Sequence, residues 1–370
     1  MGTALVLTTV NIPNLLNGYA DNFEKYGHTE EVEFIVIGDL KTPKEAASVI
    51  DKVKRRGFRA QYLDVHQQEE WMRKFPNLVE LIPYNSDNRR NVGYLMAVAR
   101  GAEVIISIDD DNYVIATEDY LASHKIVGCE CELKTAESSN HWFNICSMLD
   151  INPDQIIYPR GFPYSKRRHD KSSFTTTRGR LVVNAGLWLG DPDIDAVTRL
   201  NGPVEAVRGS GERLMLAPGT YSPINSQNTA FHRDVLPCYY YVLMGVPLRG
   251  LTIDRYGDIW SGLFAKKVID QIGDRVAFGP PYVMHRRNQH NLFKDLQSEL
   301  WGMILTDYLS SVVESIRLTD TTYHGAYLEL IEEIQPIINH SSELDREIVD
   351  YFNQLFHAMK SWVKICRKIM

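Results

Sequence analysis

Three adjacent carboxylates, Asp109, Asp110 and Asp111, follow directly on the apolar run VIISI. Like charges at a strand end are costly unless a cation neutralises them. Hard oxygen ligands suit Mg2+ or Mn2+, and such an ion would hold a diphosphate. On an extended segment, positions i and i+2 point to one side, so Asp109 and Asp111 are expected to share a task. A solvated acidic turn is the plain alternative.

Other polar groups stand at matching places in the chain. Thr8 and Asn11 end the first apolar run, and Asp39 follows the second. The stretch NSDNRRNVGY brings Arg89 and Arg90 to a helix start. Helix N-termini and arginines both suit phosphate. Thr8, Asn11, Asp39, Arg89, Arg90, Asp109 and Asp110 are therefore expected to line a nucleotide pocket. The basic run Lys166, Arg167, Arg168 and His169 is a candidate loop over it, with Arg167 as substrate contact, or a solvated face.

The elements that must carry these residues alternate. Strand-like runs at 4–10, 33–38, 59–65 and 104–108 are separated by helix-like runs at 43–56 and 88–100. Thr42 reads as the N-cap of the first of these helices, with Pro43 in its first turn. Such alternation predicts an α/β fold with parallel strands. Past residue 125 the pattern loosens, then 258–272 reads as helix and 276–285 as strand. The expected division is a nucleotide-binding half over 1–125 and a substrate half over 126–295. A helical region over 296–370 follows.

That last region ends in an amphipathic segment, 343–370. Ile348, Phe352, Leu355, Phe356, Met359, Trp362, Val363 and Cys366 fall near one face. Three covers are open: the chain's own core, a second subunit, or a membrane surface.

Composition excludes some classes. The chain has 370 residues and a net charge of −7, which disfavours a nucleic-acid partner. No apolar run is long enough for a transmembrane segment and no leader pattern opens the chain, so a cytoplasmic protein is expected, with peripheral membrane contact as the variant. The five cysteines are irregularly spaced and read as free thiols.

Six stretches then carry a resemblance: IDDD (108–111), RGFPYSKR (160–167), NAGLWLGDPDIDA (184–196), Asn225–Phe231, DRYGDIWSG (254–262) and PPYVMH (280–285). In this order they resemble the reversibly glycosylated polypeptides, also called UDP-arabinopyranose mutases. Asn112 stands where that family has a cysteine.

The resemblance implies a GT-A-like nucleotide-binding mixed sheet flanked by helices, with a helical C-terminal extension. It also implies a nucleotide-sugar donor, most simply a UDP-sugar, and a divalent cation, Mn2+ or Mg2+. Two activities are open: metal-dependent glycosyl transfer to a small-molecule or glycan acceptor, or a mutase with reversible self-glycosylation. Transfer is placed first. Arg160 is the residue tied to self-glycosylation, or else a clamp on the diphosphate. Asp258 and Asp254 become the catalytic carboxylates. Trp188 and Trp260 become substrate contacts. His285 becomes the third metal ligand beside Asp109 and Asp111, with Arg286 or Lys294 facing the diphosphate.

Overall fold

The computed structural model describes residues 2–75, 78–168, 171–287 and 291–370. His169 of the basic run lies outside them. In the first third, β1 (Thr3–Thr9), α1 (Leu16–Lys25), β2 (Val32–Gly38), α2 (Ala46–Arg55), β3 (Arg59–Leu63), α3 (Val65–Met72), α4 (Arg90–Ala99) and β4 (Val104–Ile108) alternate. β1, β2 and β4 are buried along almost their whole length, which is why they are continuous apolar runs. They pair in parallel in the order β3-β2-β1-β4. The chain steps outward from β1 to β3 and then returns to the other side of β1. The strand order thus reverses between β1 and β4, and a crevice opens beyond their carboxyl ends. α4 lies so close to β1 that a Cβ on Gly93 would sit 2.5 Å from Val6 Cγ1.

Thr42 departs from expectation. α2 begins at Ala46 with Glu45 before it and no side-chain cap. Thr42 Oγ1 instead donates to the Thr9 carbonyl at 2.6 Å and accepts from the Asp39 N–H at 2.7 Å. It latches the loop after β2 to the end of β1, where the crevice needs a fixed edge.

The rest of the chain widens the sheet. It contributes β5 (Asn112–Val114), α5 (Tyr120–His124), β6 (Glu130–Ser138), β7 (Leu149–Asn152), β8 (Ser172–Gly190), α6 (Ala196–Asn201), β9 (Glu205–Gly209), β10 (Leu214–Leu216), β11 (Asn228–His232), β12 (Val246–Leu248), β13 (Leu251–Ile253), α7 (Gly257–Ile272) and β14 (Arg275–His285). β11 runs antiparallel between β4 and β8. β14 lies parallel to β8, and β5 pairs antiparallel with the end of β14. That last pairing sets His285 against Asn112, and so brings His285 to the acidic triplet. The architecture is a large mixed sheet flanked by helices, as expected.

A buried polar knot ties these strands together. His124 is fully buried; its Nε2 lies 3.2 Å from Asn228 Oδ1 and its Nδ1 3.1 Å from Asn184 Nδ2. Asn228 spends its amide N–H groups on the Leu187 and Pro281 carbonyls, so its Oδ1 accepts from a neutral imidazole. Burial pushes the His124 pKa down to about 3. Below its unfolded pKa, near 6.5, the unfolded chain takes up a proton that the native chain refuses. Stability should therefore fall between pH 6.5 and pH 3, by at most about 1.4 kcal/mol per pH unit from this group. Urea titrations of wild type and His124→Gln across that range test it. Equal pH slopes would remove His124 as a cause of acid sensitivity.

Three helices close the chain: α8 (Leu292–Ser315), α9 (Tyr323–Asn339) and α10 (Arg346–Ile369). The apolar stripe of α10 is fully covered from within: Phe352, Phe356, Met359 and Trp362 are all 0% exposed. Trp362 donates its indole N–H to the Leu236 carbonyl, and Phe352 stacks on Trp260. One continuous core joins these helices to the sheet. The stripe leaves no open face for a second subunit or a membrane, which corrects the two partner readings built on it. No helix among the described residues is long and apolar enough to cross a membrane. All five cysteines are free thiols.

Candidate functional site

The crevice predicted by the strand order is a cleft of about 390 Å³. Thr8, Asn11, Asp39, Arg89, Arg90, Asp109, Asp110, Asp111, Asp254 and His285 all line it. Residues from 8 to 285 thus meet because β1, β4 and β14 end at one edge.

The three aspartates do not act as one group. Asp109 turns to Arg90, with Oδ1 2.5 Å from Nη2. Asp110 accepts from Thr9 Oγ1 at 2.6 Å and Asn11 Nδ2 at 3.0 Å. Asp111 Oδ2 lies 3.3 Å from His285 Nε2. Asp109 and Asp111 therefore do not share a partner, against expectation. Burial pushes the Asp109 carboxyl up to about 7, with Asp111 and Asp87 adding like charge against the pull of Arg90.

His285 Nδ1 lies 2.5 Å from the Asp191 carbonyl, so that nitrogen carries a proton and donates it. In the neutral imidazole, Nε2 then presents a lone pair to the Asp111 carboxylate. Two acceptors face one another, an arrangement that a proton or a cation must fill. A histidine whose second nitrogen donates to a backbone carbonyl is the usual orientation of a metal ligand. The residues present thus fit a divalent ion at Asp111 and His285. Among the described residues, no group of three His, Cys, Asp or Glu side chains is arranged to hold one. Asp109, expected as a ligand beside them, faces Arg90.

The two arginines of α4's start differ. Arg90 is 2% exposed. Its Nη1 donates to Ser107 Oγ, the Ile108 carbonyl and the Ser226 carbonyl, and its Nη2 to Thr8 Oγ1 and Asp109. It is a strut joining three chain segments, not a phosphate contact. Arg89, on the cleft wall, gives Nε and Nη2 to Gln68 Oε1 and lies over the Tyr84 ring, while its Nη1 is buried with no partner among the described residues. Gln227 Oε1, also on the cleft wall, is likewise unpaired.

Arg160 lies behind the wall and is 5% exposed. Its Nε and Nη2 fork onto Asp193 at 2.9 and 3.1 Å. Nη1 and Nη2 meet Asp258 at 3.3 Å each, and Nη1 also donates to the Arg255 carbonyl. Burial opposes the guanidinium charge, but Asp193 and Asp258 outweigh it and raise the pKa. With its donors spent, Arg160 neither clamps a diphosphate nor attacks a sugar in this conformation. Gly161 makes its turn possible: φ is +86°, and a Cβ there would lie 2.2 Å from Ile259 Cγ2. Asp258 is held by Arg160 and by the Ser226 N–H at 3.1 Å, and lies outside the cleft lining.

Asp254 does reach the cleft. Burial pushes its carboxyl pKa up, and it accepts the Arg255 N–H at 2.8 Å. Arg255 sits at φ +62°, a strained conformation for a side-chain-bearing residue, and Arg160 fixes its carbonyl.

Three expected contacts are elsewhere. Trp260 is buried under α10, stacked on Phe352 and donating to Thr306 Oγ1. Trp188 is 1% exposed within the sheet. Arg167 bonds Asp195 at 2.6 Å and stacks over Tyr164. An aromatic placed in a strand or helix by spacing alone has two faces to choose from, and both tryptophans chose the core. Arg286 and Lys294 are exposed and off the cleft lining. Residues that sequence reasoning missed include Asp193, Arg199, Arg255 and Arg287. Asp193 and Arg255 lie inside the quoted stretches 184–196 and 254–262, and Arg287 is two residues past His285.

A family model described as "Reversibly glycosylated polypeptide" matches residues 28–370. The match runs through the C-terminal helices, which the quoted stretches do not reach. "Probable UDP-arabinopyranose mutase 1" of Solanum tuberosum is 29% identical over 289 residues, covering 76% of this chain and 72% of the relative. "UDP-arabinopyranose mutase 3" of Arabidopsis thaliana is 29% identical with the same coverage. Among solved structures, Mycobacterium tuberculosis glucosyl-3-phosphoglycerate synthase with phosphoglyceric acid overlaps 82% of this chain and 78% of its own at a TM-score of 0.39 and 13% identity. S. aureus TarS 1–349 with UDP-GlcNAc overlaps 100% and 91% at 0.38 and 12%. Overlaps this loose say nothing about the site.

Proposed function

The chain belongs to the reversibly glycosylated polypeptide family, and from that premise we propose that it acts on a UDP-sugar, interconverting ring forms of the sugar while it belongs to the nucleotide. The observation that supports this best is the cleft at the β1–β4 switch point, where Asp111 and His285 present two acceptors to one another across a gap that a cation would fill. The curated mutases among the relatives favour ring interchange over transfer to a separate acceptor.

In this reading Asp39, Thr8 and Arg89 hold the nucleoside end. Asp111 and His285 would hold a divalent cation, which would supply charge neutralisation at the diphosphate. Ring interchange opens the bond from the anomeric carbon to the ring oxygen and closes one to another sugar hydroxyl, whose proton ends on the freed oxygen; Asp254 faces the positive charge that develops at the anomeric carbon meanwhile. Arg160, through Asp258, Asp193 and the Arg255 carbonyl, positions that segment.

The test is a panel of UDP- and GDP-sugars with Mn2+, read by chromatography and intact-protein mass. A ring-isomerised nucleotide sugar is expected. Free UDP with a glycosylated acceptor would replace the mutase reading by transfer, and a mass shift on the protein would add self-glycosylation. No turnover and no binding of any member would sink the proposal.

A separate prediction isolates the cation. Mn2+ should tighten UDP binding to the wild type at least tenfold, and His285→Ala should lose that gain while keeping the native circular dichroism and melting profile. Titration calorimetry with and without the metal measures it. An unchanged Mn2+ effect would remove His285 from the ion.

A further inference from the structure

The wall of the cleft around His285 carries three arginines from separate parts of the chain: Arg199, Arg255 and Arg287. Each is held by a carboxylate that does not line the cleft. Arg199 pairs with Asp191 and donates to the Pro192 carbonyl at 2.5 Å. Arg255 gives Nε to Glu299 at 2.8 Å and lies 3.9 Å from Asp295. Arg287 gives Nη2 to Asp295 at 2.7 Å. Asp295 thus ties Arg255 to Arg287, and Asp191 ties Arg199 to His285 through its own carbonyl.

We propose that Arg199, Arg255 and Arg287 form an oxyanion subsite, taking a phosphate or carboxylate beside the Asp111–His285 position. Three observations support it. The guanidiniums are anchored from behind, so their rotamer freedom is already lost before a ligand arrives. A planar guanidinium carries five donors, and the pairings above do not use all five of any of these cleft-lining arginines. Burial, with the charges of Arg199 and Arg255 added, pushes the Arg287 pKa down against the pull of Asp295 and Asp191, and an anion beside Arg287 would relieve that. Arg255 also holds a strained backbone to reach this place.

Two sources fit this chemistry: the distal phosphate of a nucleoside diphosphate, or an acidic group on a second substrate. Only the choice between them rests on the UDP-sugar reading. The test titrates UDP, UMP and inorganic pyrophosphate into wild type, Arg199→Gln and Arg287→Gln, then inorganic phosphate into the UDP-saturated proteins. If the distal phosphate is bound, both variants lose UDP and pyrophosphate affinity at least tenfold while UMP is unchanged. If the anion belongs to a second substrate, UDP affinity holds and phosphate binding to the UDP-saturated protein is lost. Pyrophosphate binding that the variants lose, in a protein that binds neither nucleotide, keeps the subsite and discards the UDP reading. Wild-type affinities for all four probes in both variants would overturn the subsite. Should a glutamine variant fail to fold, Arg287→Lys keeps the charge without the fork, and unchanged pyrophosphate and phosphate affinities there would overturn it equally.

Discussion

Arg160→Met is expected to lower stability by about 3–5 kcal/mol and to abolish turnover, because it leaves Asp193 and Asp258 buried without their counter-charge. The two carboxylates would face one another across the space of the lost guanidinium. The Arg255 carbonyl would lose its donor, and the strained turn that presents Asp254 and Arg255 would relax. Arg160→Lys should fall between, since an ammonium keeps the charge but cannot fork onto two carboxylates. Urea unfolding reads the stability, and the UDP-sugar panel reads the turnover. A methionine variant with wild-type stability would show that Arg160 is not the keystone of this layer. A stable lysine variant with lost turnover would return the residue to direct chemistry.

Deleting residues 343–370 is expected to give an aggregated or unfolded chain, not a smaller soluble one. The deletion uncovers Trp260 of α7, Tyr240 and the face of α9, which now pack on α10. Trp362→Ala is the milder version and should cost about 3–5 kcal/mol, the range for removing a buried aromatic. Its indole N–H bond to the Leu236 carbonyl goes as well. Light scattering on the deletion and urea unfolding on the point variant check these outcomes. A soluble deletion with an unchanged cooperative melt would mean that α10 is an appendage, and would reopen the dimer interpretation.

The first sheet and its switch point could be read from residues because parallel strands buried on both faces must be apolar throughout. Val32–Gly38 and Val104–Ile108 announce themselves that way. The acidic triplet was legible as a group, but the separate partners of its members were not, since they depend on what β1, α4 and β14 bring from far away. Arg89 and Arg90 are adjacent and alike in sequence. Only the tertiary structure ties Arg90 to Thr8, Ser107 and Asp109 and gives Arg89 to Gln68. The tryptophans failed for a related reason: Trp260 is a sensible sugar platform until α10, some 90 residues later, claims its face. Arg199 and Arg287 carry no local signal at all, because an arginine on a short helix or after a strand is ordinarily solvated.

The anchoring of cleft arginines by α8 bears on how this protein is made. A chain leaves the ribosome N-terminus first, and domains begin to fold as they emerge. The parallel-strand portion through β4 can pair its strands early, with local crossovers and short loops. Arg255 must wait for Glu299, and Arg287 for Asp295, both supplied by α8. α8 in turn packs beneath α9, which packs on α10. Ligand binding at the arginine wall should therefore appear only once α8, α9 and α10 have emerged. Stalled nascent chains of increasing length, released and assayed for UDP capture, would show nucleotide binding arriving as a late step and not growing in proportion to length.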